Sequence, residues 1–204
     1  MKKNFASVLA CCLALTVAAP AAFADNAPIK VKYSVTYGAT GVQADGAHAF
    51  ADIIKECSQG RLEMEFYPSS QLGDKASTFE GLMAGTIEMT ECAASDLSVF
   101  NDIWSVFSLP YLWDSDVQAV NTVNDEAVRK VLEADAENNG FKIIAWTSIG
   151  SRSVVNSKHP IKTVDDMNGL KLRCMEDPIL AEAINAMGAI GTPMPASEVY
   201  TALQ

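Results

Sequence analysis

From Lys30 to Thr36 the chain alternates polar and apolar residues, most of them strong β formers, which predicts a first strand. After a turn at Gly38–Gly41, the period changes. Ala47, Phe50, Ala51, Ile54 and Cys57 recur at helical spacing and predict an amphipathic helix stopped by Gly60. Leu62, Met64 and Phe66 alternate again as a second strand, ended by Pro68. A helix over Lys75–Ala84 follows, with Phe79, Leu82 and Met83 on one face and Gly85 as its stop. Thr86–Cys92 reads as a third strand. Connections this long between strands cannot be tight hairpins, so the β-α-β-α-β order predicts parallel strands with right-handed crossovers.

Beyond this unit, the aromatic-rich stretch from Asn101 to Trp113 suits short helical turns. Val117–Glu137 predicts one longer helix with Val117, Val120, Val128, Val131 and Leu132 inward, and Phe141–Thr147 another strand. A second α/β unit is expected from Ser148. It has strands at Arg152–Asn156 and Leu170–Cys174, a capped turn at Thr163–Asp166, and a helix carrying Leu180, Ala183, Ile184 and Met187 inward. Pro195–Glu198 opens a last helix that reaches Gln204 without a Gly, Pro or cap, so the chain is expected to be a fragment of a longer protein.

The first 24 residues do not fit this scheme. Lys2 and Lys3 precede an apolar run from Phe5 to Ala19, and Ala22-Phe23-Ala24 forms a small-x-small cleavage site. The run is too short to span a bilayer. It predicts a cleaved export signal, a mature chain starting at Asp25 and residence in the periplasm. Removing two lysines and no acid takes the net charge from −10 to −12. That field opposes binding to nucleic acid or to an anionic lipid surface. Hydrophobic residues make up 49% of the chain, which is enough for a buried core. Of five cysteines only Cys57, Cys92 and Cys174 remain after cleavage. They have no metal or redox spacing and read best as small buried residues, although one pair could bridge in an oxidising compartment.

Motifs for covalent, phosphate or dinucleotide chemistry are missing from the sequence, and no cofactor or metal is implied. His48 and His159 read as structural or solvated. Glu88 and Glu91, three apart on a strand, face opposite sides and cannot work as a pair. Asp114-Ser115-Asp116 reads as a helix cap. The residues that carry chemistry are two arginines. Arg173 lies near the carboxyl end of a strand and Arg152 begins another. Ligands of open α/β sheets gather beyond the carboxyl ends of strands, where a guanidinium grips a carboxylate through two parallel hydrogen bonds.

Several stretches resemble the extracytoplasmic solute receptors of tripartite ATP-independent periplasmic (TRAP) transporters, the DctP family. They are Tyr67-Pro68-Ser69-Ser70-Gln71-Leu72-Gly73-Asp74, Gly150-Ser151-Arg152 with Asn156, Met167-Asn168-Gly169-Leu170-Lys171-Leu172-Arg173, Thr192-Pro193-Met194 and Glu198-Val199-Tyr200-Thr201-Ala202-Leu203-Gln204. The resemblance implies a two-lobed α/β periplasmic binding protein of type II-like architecture, closing on an organic acid. The signal would occupy 1–24, the first lobe 25–147 and an incomplete second lobe 148–204. It implies that Arg173 clamps the substrate carboxylate, that Arg152 lies in or beside the pocket, and that Thr36 and Ala93 form its first-lobe wall. Glu176 is a further candidate, either as a helix N-terminal acid or as an acceptor for a ligand hydroxyl or amine. The receptor would deliver its cargo, a C4-dicarboxylate by default, to a membrane permease pair. A secreted enzyme on small acids and a sensory ligand-binding domain are the rival readings.

Overall fold

The computed structural model describes residues 27–204, so the expected export signal with its cleavage site, Cys11 and Cys12 lies outside the described residues. The first unit runs β1 (Ile29–Ser34), α1 (Val42–Cys57), β2 (Leu62–Tyr67), α2 (Lys75–Ala84) and β3 (Met89–Thr90). Its three strands are parallel in the order β2-β1-β3, as the long connections require. Strand alternation sorts the two faces of β1. Tyr33 and Val35 pack with Ala47 of α1, while the buried Ser34 Oγ lies 3.3 Å from Thr78 Oγ1 of α2 on the other face.

The bounds of α2 match the sequence pattern because both ends are chemically marked. The Asp74 carboxylate accepts the Ser77 N–H at 2.9 Å, and Gly85 ends the helix in the left-handed conformation at φ 68°. The third strand is shorter than expected. The Thr86 N–H turns back to Gly81 O, and the chain leaves the sheet after Thr90 to enter a 3-10 helix at Ala94–Val99.

A second 3-10 helix (Asp102–Ser108) precedes α3 (Asp116–Asn124) and α4 (Glu126–Asn138). The single helix expected over Val117–Glu137 is therefore two. Asp125 breaks it by turning its carboxylate onto the Ala127 and Val128 N–H groups, the competition with helical backbone for which Asp is known. The break resets the helical phase. Val117 and Val131 are exposed; Leu132 is buried as expected, and Val123 and Ala136 join it against Phe79, Leu97 and Trp104. Ser115 caps α3 as the sequence predicts.

The expected strands at Phe141–Thr147 and Arg152–Asn156 do not form. Both stretches carry no regular structure, since no described segment pairs with either and a strand exists only through its ladder. The second unit consists of β4 (Lys171–Cys174), α5 (Pro178–Ala186) and β5 (Ile190–Pro193), followed by the short α6 (Val199–Ala202). Strands β4 and β5 are parallel, and Leu170, Leu172 and Cys174 pack against Ala181, Ile184 and Ala189. The cysteines do not share one environment. Cys174 is buried and Cys92 half-buried, but Cys57, at the last turn of α1, is exposed, contrary to its expected inward place; all three are thiols.

Candidate functional site

The strand order decides where the first unit can hold a ligand. The chain goes from β1 to β2 on one side and returns past β1 to β3 on the other, so connectivity reverses between β1 and β3. In open α/β sheets ligands bind at such a reversal, outside the carboxyl ends of the strands. Two stretches border it here, Val35-Thr36-Tyr37 after β1 and Glu91-Cys92-Ala93 after β3. Thr36 and Ala93 are both half-buried at this edge. The Pro68–Gln71 turn is laced to it, with Ser69 N–H donating to Tyr37 O at 2.7 Å and Ser70 N–H to Val35 O at 3.0 Å.

Polar side chains converge on the same edge. Tyr33 and Tyr37 each donate a hydroxyl to Glu91 Oε2 at 2.9 Å. Burial is the main cause that raises both phenols above the usual tyrosine range, Tyr37 to about 12. Lys75 Nζ pairs with Asp96 Oδ2 at 2.5 Å, and the same carboxylate oxygen accepts the Ala93 N–H at 2.8 Å. Burial pushes the Asp96 carboxyl up, and Lys75 only partly offsets this. Glu88 points elsewhere and accepts the Lys32 N–H, so the two glutamates remain separate, as their spacing predicts.

In the second unit, Arg173 lies on β4 in register with Thr192 of β5. Its Nε and Nη2 donate to Met194 O at 3.0 and 2.6 Å, just past the end of β5. A guanidinium has five N–H donors in a planar fork. One edge is fixed on the carbonyl, and the Nη1–Nη2 edge is left for a second planar acceptor. Arg152 Nη2 approaches Met175 Sδ at 3.6 Å, which brings it to the chain two residues beyond Arg173. Both arginines are exposed. The structure therefore gathers them at the carboxyl end of β4, although no hydrogen bond among the described residues joins either to Thr36 or Ala93.

Glu176 is exposed and sits one residue before the cap of α5. The helix N-terminal acid is Asp177 instead. Its Oδ1 accepts the Ile179 and Leu180 N–H groups, and its Oδ2 accepts the Ser108 hydroxyl from the end of the second 3-10 helix. Sequence reasoning missed Asp177, Lys75 and the two tyrosines. An Asp-Pro pair opening an apolar helix was the available signal for the first.

Two cavities, of about 570 and 450 Å3, lie along α3 and α4, and neither is lined by a lysine or arginine that would hold an anion. His48 is exposed with its ring edge-on to Phe66, and His159 Nε2 lies 2.9 Å from Asp166 O. Among the described residues there is no cluster of three or more metal-binding side chains, and no helix is long and apolar enough to cross a membrane.

The model of the family DctP, bacterial extracellular solute-binding protein, family 7, matches residues 33–204. The chain is 32% identical over 195 residues to the 2,3-diketo-L-gulonate-binding periplasmic protein YiaO of Escherichia coli, covering 94% of this chain and 58% of that one. It is 30% identical to the C4-dicarboxylate-binding periplasmic protein DctP of Rhodobacter capsulatus, covering 87% and 53%. A TRAP periplasmic solute-binding protein of Desulfovibrio salexigens, solved with orotic acid, superposes with a TM-score of 0.76 at 33% identity, over 86% of this chain and 56% of that one. The sugar acid binding protein DctPAm of Advenella mimigardefordensis, solved with galactonate, has the same fold with a TM-score of 0.81 at 24% identity over 86% and 56%. The chain thus spans about half the length of the curated relatives it matches.

Proposed function

Because this chain belongs to the DctP family of bacterial extracellular solute-binding proteins, we propose that the protein is the periplasmic receptor of a TRAP transporter. It captures a carboxylate-bearing organic acid, performs no chemistry on it, and passes it to the membrane permease. Residues 1–24 serve as the export signal. Residues 25–147 form the first lobe and 148–204 the described part of the second. The observation that carries this reading is the Arg173 guanidinium, anchored on Met194 O with its outer edge free at the joint carboxyl ends of β4 and β5. Arg152 supports the same carboxylate, Thr36 and Ala93 line the opposite wall, and Glu176 approaches the ligand's polar groups from the second lobe.

The relatives bind acids of different skeletons, a diketo sugar acid, C4-dicarboxylates and orotate among them, so their common element is the carboxylate. A thermal-shift screen of the full-length protein against organic acids tests the reading. A ligand at 100 times its Kd stabilises the native state by about 2.7 kcal/mol, or roughly 5 °C in a protein of this class. At least one carboxylate should reach that shift while its methyl ester or amide does not. A screen in which no acid raises the melting temperature refutes the proposal.

A further inference from the structure

We propose that Glu91 reads ligand hydroxyls at this strand reversal, and that the cargo is a polyhydroxylated monocarboxylate rather than a dicarboxylate. This rests on the reading above, in which Arg173 holds the cargo's carboxylate, and concerns what meets its other end.

Position comes first. Glu91 follows β3 at the point where strand connectivity reverses, two residues from Ala93, and its carboxylate is tied across to Tyr37, the neighbour of Thr36. The carboxylate is also built for a second partner. Oε2 is occupied by both tyrosine hydroxyls, whereas Oε1 has no hydrogen-bond partner among the described residues. Among these residues the one fully buried polar side-chain atom without a partner is Trp146 Nε1, so Oε1 is not fully sealed from solvent. A carboxylate accepts and does not donate, so the ligand group that completes it is a donor. The raised phenols of Tyr33 and Tyr37 remain neutral donors across the physiological range and keep Glu91 in place.

Charge then separates the two ligand classes. A second ligand carboxylate at this wall meets the Glu91 charge, and like charges at close range disfavour each other. The cation beside the wall, Lys75, already faces the Asp96 carboxylate. A sugar-acid hydroxyl faces no such repulsion, and a hydrogen bond to a charged acceptor is stronger than one between neutral groups.

Calorimetry on the full-length protein with galactonate and succinate tests the inference. Galactonate should bind at least about tenfold more tightly than succinate. Glu91→Gln, which keeps an acceptor for the tyrosines, should lose about tenfold or more for galactonate and leave succinate unchanged or improved. Tyr37→Phe loosens Glu91 without removing its charge and should give a smaller loss in the same direction. It keeps the test open if the glutamine variant fails to fold. Tighter succinate binding by the wild type, or equal losses for both acids in the variants, overturns the inference while leaving the receptor reading intact. Failure of the wild type to bind any acid overturns both.

Discussion

Replacing Arg173 perturbs the proposed clamp at a defined set of atoms. Met194 O occupies the Nε–Nη2 edge, so a ligand carboxylate meets the outer edge through two parallel, charge-assisted hydrogen bonds. In the open, solvated state that pair is worth no more than about 1 kcal/mol, because Arg173 is exposed and water screens it. Lobe closure removes the water. Stripping one partner from a desolvated pair costs about 2–5 kcal/mol, which is roughly 30- to 5,000-fold in Kd. Arg173→Ala in the full-length protein should therefore weaken binding of its preferred acid by that factor in titration calorimetry. Its melting temperature should barely move, since an exposed side chain is lost. Arg173→Lys restores the charge but cannot hold Met194 O and present a two-pronged edge at once, so it should recover only part of the affinity. A loss below about fivefold for the alanine variant would rule out a desolvated clamp at Arg173, because the contact would then be solvent-screened or absent.

Arg152→Ala should weaken the same titration less than Arg173→Ala does, and the reverse order would exchange their roles. Gly191→Ala should destabilise the second unit by about 1–3 kcal/mol in urea unfolding, since a Cβ there would lie 2.8 Å from Ala181 O and 3.0 Å from its Cα; an unchanged midpoint would show that α5 moves aside freely. Asp74→Ala should cost about 1 kcal/mol at pH 7 through loss of the α2 cap. The hydrogen bond from the Ser77 N–H holds the Asp74 carboxyl below its ordinary range. Its contribution is therefore present above the unfolded-state value near 3.8 and lost as pH falls through the lower folded value. The difference between wild type and variant should thus shrink below about pH 4, and a penalty that grows with acidification would contradict the assignment.

The parts of the fold readable from sequence were those with local, periodic causes. Strands β1 and β2, helices α1, α2 and α5 and the parallel order followed from hydrophobic spacing, Gly stops and connection length. Long-range causes escaped that reading. The division of α3 from α4 depends on one aspartate preferring the backbone of the next turn. The unpaired stretches at 141–147 and 152–156 have the composition of strands without a described neighbour. Strand β5 was not predicted: it contains Gly191 and Pro193, both poor strand formers, and Gly191 is what lets α5 approach. At the site, the arginines were visible as isolated cations near strand ends. The Tyr33–Tyr37–Glu91 cluster joins residues 58 and 54 positions apart, and only the pairing of β1 with β3 brings them together.

A crystal structure of the full-length protein grown with the acid that stabilises it best decides whether Arg173 holds the cargo. One carboxylate of that acid should have its two oxygens about 2.7–2.9 Å from Nη1 and Nη2 of Arg173. An acid bound in the closed protein with its carboxylate against other residues, and the Arg173 fork still facing water, would contradict it.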